Sequence, residues 1–79
     1  MTYCEQKLKQ IYNNFVFSSG VYRRDIHLQS LLYKQALEAI TKEQERLKAS
    51  HLPLAELTFY GNHYRRLITQ YYHSLQAMA

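Results

Sequence analysis

This chain has little of what usually staples or arms a small protein: one cysteine, one proline, two glycines and no tryptophan among 79 residues. Cys4 alone cannot close an intrachain disulfide, and no cysteine and histidine spacing matches a zinc site, so metal and cofactor are both expected to be none. Gly20 and Gly61 stand far apart, which rules out a glycine-rich phosphate loop. No run of about eighteen apolar residues occurs, which excludes a hydrophobic transmembrane helix. The first residues lack a basic stretch followed by an apolar core, so no cleavable signal is expected. With a lone cysteine, the expected location is cytoplasmic, with no membrane partner and no small-molecule substrate.

Charge of one sign is also scarce. Ten Lys and Arg against six Asp and Glu leave a net charge of +4. That gives a mildly positive field, which favours acidic partners but falls short of the density of a dedicated nucleic-acid binder. At this length only about 60% of the unfolded surface can be buried, so helix packing or association must supply the stability.

Tyrosine is what the chain has in excess: eight Tyr with three Phe. Tyr joins a large apolar ring to a polar tip and suits half-buried positions and contact surfaces better than a dry core. Tyr and Arg together are the residues of interface hot spots, and they serve more often as ordinary helix-edge packing.

Hydrophobic periodicity divides the chain into three helices within a single domain, 1–79. In the first, Cys4, Leu8, Ile11, Tyr12 and Phe15 repeat at threes and fours. Thr2 followed by Glu5 fits a capping box, and Ser18, Ser19 and Gly20 are expected to end the helix near Phe17. The second and third helices, 25–49 and 53–77, are joined only by Ser50, His51 and Leu52, the layout of an antiparallel hairpin. Asp25 caps the second, whose core stripe is Ile26, Gln29, Tyr33, Leu37, Ile40 and Leu47, joined by Leu32 and Ala36. Residues 41–48 are nearly all polar and read as a solvated face, with Glu38 and Lys42 spaced for an ion pair. Pro53 suits the first position of the third helix. There the stripe is Leu57, Tyr60, Tyr64, Leu67, Ile68, Tyr71, Leu75 and Met78, with Phe59 and Tyr72 widening it beyond what one neighbouring helix covers. Gly61 within that stripe costs about 1 kcal/mol against alanine, and either admits a close neighbour or is simply tolerated.

No constellation identifies a reaction. Catalysis needs a nucleophile beside a base, facing carboxylates or an open metal, and none occurs at a usable spacing, so an enzyme is not expected. His27, His51, His63 and His73 are scattered; His63 and His73 are about 15 Å apart on a straight helix and cannot share a metal ion. Cys4 at a helix start invites an activated thiol, but no histidine stands near it in sequence and a structural cysteine is the stronger reading.

The order of a short helix, a charged helix over 31–48, a tight turn over 50–53 and an aromatic helix over 60–75 resembles in plan the small hairpin-shaped chaperones that hold needle subunits of type III secretion. It departs from them in lacking a glycine in the turn. That resemblance implies a protein partner. Residues 52–75 are similar to a helix of primosomal restart proteins, which would imply nucleic acid instead.

The expectation is therefore an all-α fold, a short N-terminal helix packed on a long helical hairpin, acting as a non-enzymatic protein–protein interaction module. Its partner is another protein or a second copy in a homodimer. Phe59, Tyr60, Tyr64, Tyr71 and Tyr72 are the expected apolar anchors, with Arg65 and Arg66 as orienting contacts to an acidic rim. The alternative is a small basic nucleic-acid binder in which Arg23, Arg24, Arg65 and Arg66 meet phosphates, with Arg23 and Arg24 near the far end of the third helix, closer to Tyr72 and His73 than to Arg65.

Overall fold

The computed structural model describes residues 2–77. Three helices, α1 (Tyr3–Val21), α2 (Ile26–Ala49) and α3 (Leu54–Ala77), each pack against both others in a rod of 41 × 16 × 16 Å. The all-α bundle is thus the fold expected from periodicity.

Each helix boundary has a local cause. Thr2 Oγ1 accepts from Glu5 N at 3.1 Å and Asp25 Oδ1 from Leu28 N at 2.9 Å, satisfying donors that a helix start leaves open. At the end of α2, Leu52 N donates to Leu47 O and His51 N to Lys48 O, a Schellman closure in which His51 takes φ 65°. Histidine thus fills the left-handed position that glycine usually fills, and Leu52 folds back on the core beside Leu47. Pro53 lies one residue before α3 rather than inside it, its carbonyl accepting from Leu57 N at 3.1 Å.

Two sequence expectations fail here. Helix α1 runs through Ser18, Ser19 and Gly20 to Val21 instead of ending near Phe17. Phe15 and Ser19 lie one turn apart and both are buried, so tertiary packing on that face overrides the weak propensity of the Ser-Ser-Gly run. Ile26, placed in the core stripe by spacing, is 58% exposed, since it is the first residue of α2, next to the turn at the end of the rod.

The core centre is aliphatic. Leu8, Ile40, Leu47, Leu57 and Ile68 have no more than 2% of their surface exposed, and each full burial contributes about 1.5–3 kcal/mol. Tyrosines form the rim. Tyr33 stacks on Tyr72 with centroids 4.2 Å apart and its hydroxyl lies 3.0 Å from Thr69 Oγ1, while Phe15 meets the edge of Tyr71. The wide apolar face of α3 is therefore covered by α1 at Tyr64 and Tyr71 and by α2 at Tyr72, while Phe59 stays exposed. Met78, the last residue of the expected stripe, lies outside the described residues.

On the α2–α3 seam, Gly61 is a site of close approach. Gln44 crosses it to donate from Nε2 to Leu57 O at 2.8 Å, and its Oε1 accepts from Arg65, which also donates to Thr41 Oγ1. A side chain at Gly61 would overlap the Gln44 amide. The charged half of α2 carries an ion pair between Arg46 and Glu43 one turn apart, rather than the spaced pair Glu38 and Lys42. Arg46 also reaches the Tyr3 hydroxyl, and its guanidinium lowers the pKa of Tyr3 and of Glu43.

Candidate interaction surface

The expected anchors on α3 are mostly consumed by the fold. Tyr64 is 6% exposed and packs against Tyr12, with burial holding its phenol above the usual pKa. Tyr60, Tyr71 and Tyr72 are half-buried against the core, the last two against Phe15 and Tyr33. Arg65 is tied to Thr41 and Gln44. Only Phe59 and Arg66 stand exposed, Phe59 leaning edge-on against Tyr60.

The four arginines do not form one patch. Arg65 lies opposite Thr41, about 24 Å along the axis from Asp25 and the Arg23–Arg24 turn. Tyr72, stacked on Tyr33, is about 12 Å from that end, so Arg23 and Arg24 lie closer to Tyr72 than to Arg65, as the antiparallel hairpin implies.

Exposed apolar surface collects instead at the α1–α2 end. Phe17 is 74% exposed, and Val21, Tyr22 and Ile26 are also exposed there. Phe17 and Val21 are one turn apart on the face of α1 opposite Phe15 and Ser19. An open hollow of about 690 Å³ is lined by residues 20–27, with Val21, Tyr22 and Ile26 as apolar walls and Arg23 and Arg24 beside them. One signal in the sequence marks this surface: Phe17 and Val21 repeat at four while falling off the Cys4–Leu8–Phe15 stripe. Ile26 gave no such signal, since its spacing fits the core stripe of α2.

The turn that displays these residues is fixed from below. Gln29, 2% exposed, donates from Nε2 to Arg23 O at 2.6 Å. Tyr22 N closes on Ser18 O and Asp25 N on Tyr22 O, while the Asp25 carboxylate caps α2. The turn backbone is thus held by a buried amide, a cap and two backbone bonds, so Arg23 and Arg24 project from a set frame.

Cys4 is fully buried, and burial, followed by the charges of Glu56, Glu43 and Glu5, raises its pKa, the opposite of an activated thiol. Among the described residues no three of His, Cys, Asp and Glu come together as a metal ion would require, and no helix is long and apolar enough to cross a membrane. Compared with known protein families, curated proteins and solved structures, the chain finds no match.

Proposed function

We propose that this chain is a non-enzymatic helical interaction module that holds a protein partner at the α1–α2 end of its bundle. The observation that carries the reading is the exposure of Val21, Tyr22 and Ile26 around one hollow beside Arg23 and Arg24, with exposed Phe17 one helical turn before Val21. Exposed apolar groups scattered singly are ordinary, but a cluster rimmed by charge is the usual mark of a contact surface. The fixed turn supports it further, because a surface already ordered loses less entropy on binding. The anchors thus move from the aromatic face of α3, which the bundle uses for itself, to its distal end.

Site-specific photocrosslinking tests this. A benzoylphenylalanine at position 17 should give a discrete crosslinked protein in cells, lost when Ile26→Ser is added, while the same probe at position 59 should not. Equal crosslinking from both positions, or insensitivity to Ile26→Ser, would place the contact elsewhere. Light scattering after size exclusion on the same variants separates a distinct partner from a homodimer, since only the latter makes the apparent mass depend on concentration.

A further inference from the structure

We infer that the partner of the α1–α2 end is an acidic amphipathic protein segment, seating an apolar side chain between Val21, Tyr22 and Ile26 and presenting carboxylates to Arg23 and Arg24. This rests on the reading of that end as a docking surface and adds the chemistry of what docks.

Charge decides it. Arg23 and Arg24 are exposed neighbours, and among the described residues no carboxylate pairs with either guanidinium. The one acid nearby, Asp25, is engaged in capping Leu28 N. The next charge along α2 is Lys34, and α3 from Thr69 to Ala77 carries none, so among the described residues Asp25 is the one acidic side chain set against Arg23, Arg24 and Lys34 at this end. Arginine forks match carboxylates in two parallel hydrogen bonds, and they do so best when their backbone is already placed, as Gln29 places that of Arg23.

Two other occupants fit less well. A second copy docked end to end would bring four guanidinia together with only two capping carboxylates between them, a like-charge cost that disfavours the contact. A lipid surface would meet the arginines, but it offers no protruding side chain to fill the hollow between Val21 and Ile26. A helical segment with an apolar stripe and flanking Glu or Asp answers both features at once.

The test uses three labelled helical peptides of about 18 residues with one shared Leu and Phe stripe and with Glu, Lys or Gln on the flanks, measured by fluorescence anisotropy. The Glu peptide should bind about tenfold or more tighter than the Lys peptide, less so as salt rises. In Arg23→Glu plus Arg24→Glu the preference should invert toward Lys. Phe17→Ser plus Ile26→Ser should weaken all three. All four positions are exposed, and unchanged far-ultraviolet circular dichroism confirms that each variant is folded. Equal binding of the three peptides would overturn the acidic assignment while leaving apolar docking at this end intact. Binding of none of them would overturn the acidic assignment, and if crosslinking from position 17 also failed, the docking surface would fall with it. Sedimentation with phosphatidylcholine vesicles carrying phosphatidylserine, without a peptide preference, would assign the arginines to lipid and overturn the proposal. A concentration-dependent dimer abolished by the arginine variants would do the same in favour of a second copy.

Discussion

Replacing Gly61 with alanine should destabilise the bundle even though alanine is the better helix former. On propensity alone the substitution gains about 1 kcal/mol in a helix interior. The added methyl, however, would stand 2.6 Å from Gln44 Cδ and 3.2 Å from the Arg65 guanidinium. Gln44 must then swing out, losing its bond to Leu57 O and the one it accepts from Arg65. At about 1 kcal/mol net for each, with the Arg65 bond discounted because it lies near solvent, the loss exceeds the gain and Gly61→Ala costs about 1 kcal/mol. In a Gln44→Ala background the obstacle is gone, and the same substitution should stabilise by about 1 kcal/mol, a coupling of about 2 kcal/mol between the sites. Urea unfolding followed by circular dichroism reads this as midpoint shifts of opposite sign at constant slope. If Gly61→Ala raises the midpoint in both backgrounds, the Gln44 bridge has no energetic weight and glycine is merely tolerated there.

Four further outcomes follow from single contacts. His51→Gly should raise stability by up to about 1 kcal/mol, because glycine takes the left-handed backbone of the Schellman turn without strain; a lower urea midpoint would contradict the closure. Ser19→Ala should be neutral or stabilising by about 1 kcal/mol, since its buried hydroxyl has no hydrogen-bond partner among the described residues; a clear loss would reveal one. The Glu43 carboxyl, held below its usual 4.5 chiefly by hydrogen bonding to Arg46, should titrate by NMR at an ordinary value in Arg46→Ala. Its folded pKa is lowered, so the pair's contribution is present above 4.5 and lost as pH falls through the folded value. Cys4 should react with a disulfide reagent at least about tenfold more slowly in the native protein than in urea, and rapid native labelling would refute the buried, protonated thiol.

Much of the fold could be read from residues alone. Asp25, Thr2 and the short connection before Pro53 carry their chemistry locally, so the helix starts and the hairpin were legible to within a residue. What was not legible depends on which helix covers which face. The aromatic surplus of α3 has the same signature whether α1 or a foreign molecule lies against it, and only the tertiary arrangement assigns Tyr64 to Tyr12 and Tyr71 to Phe15. Ser18, Ser19 and Gly20 look like a helix stop because propensity is local, whereas the burial of Phe15 and Ser19 that carries α1 onward is not. Ile26 fits a helical stripe that simply outruns its neighbours. Sequence alone points to the helix with the apolar excess, whereas the surface proposed for binding is the one the fold leaves uncovered.

That distinction bears on how binding and stability relate in so small a molecule. Tyr64, Ile68 and Leu47 are buried, and truncating any of them would report on unfolding whatever else it did. Phe17, Val21, Arg23, Arg24 and Ile26 are exposed and contribute little to the core, so evolution or an experimenter can alter them with the bundle intact. The two sets meet at one residue. Gln29 is buried within the rod yet spends its amide on the carbonyl of Arg23, linking the packing of α2 to the posture of the turn. A rod that commits its aromatic rim to its own packing and ends in a basic, apolar corner would, on the proposed reading, keep recognition and folding on separate residues, with Gln29 as the joint between them.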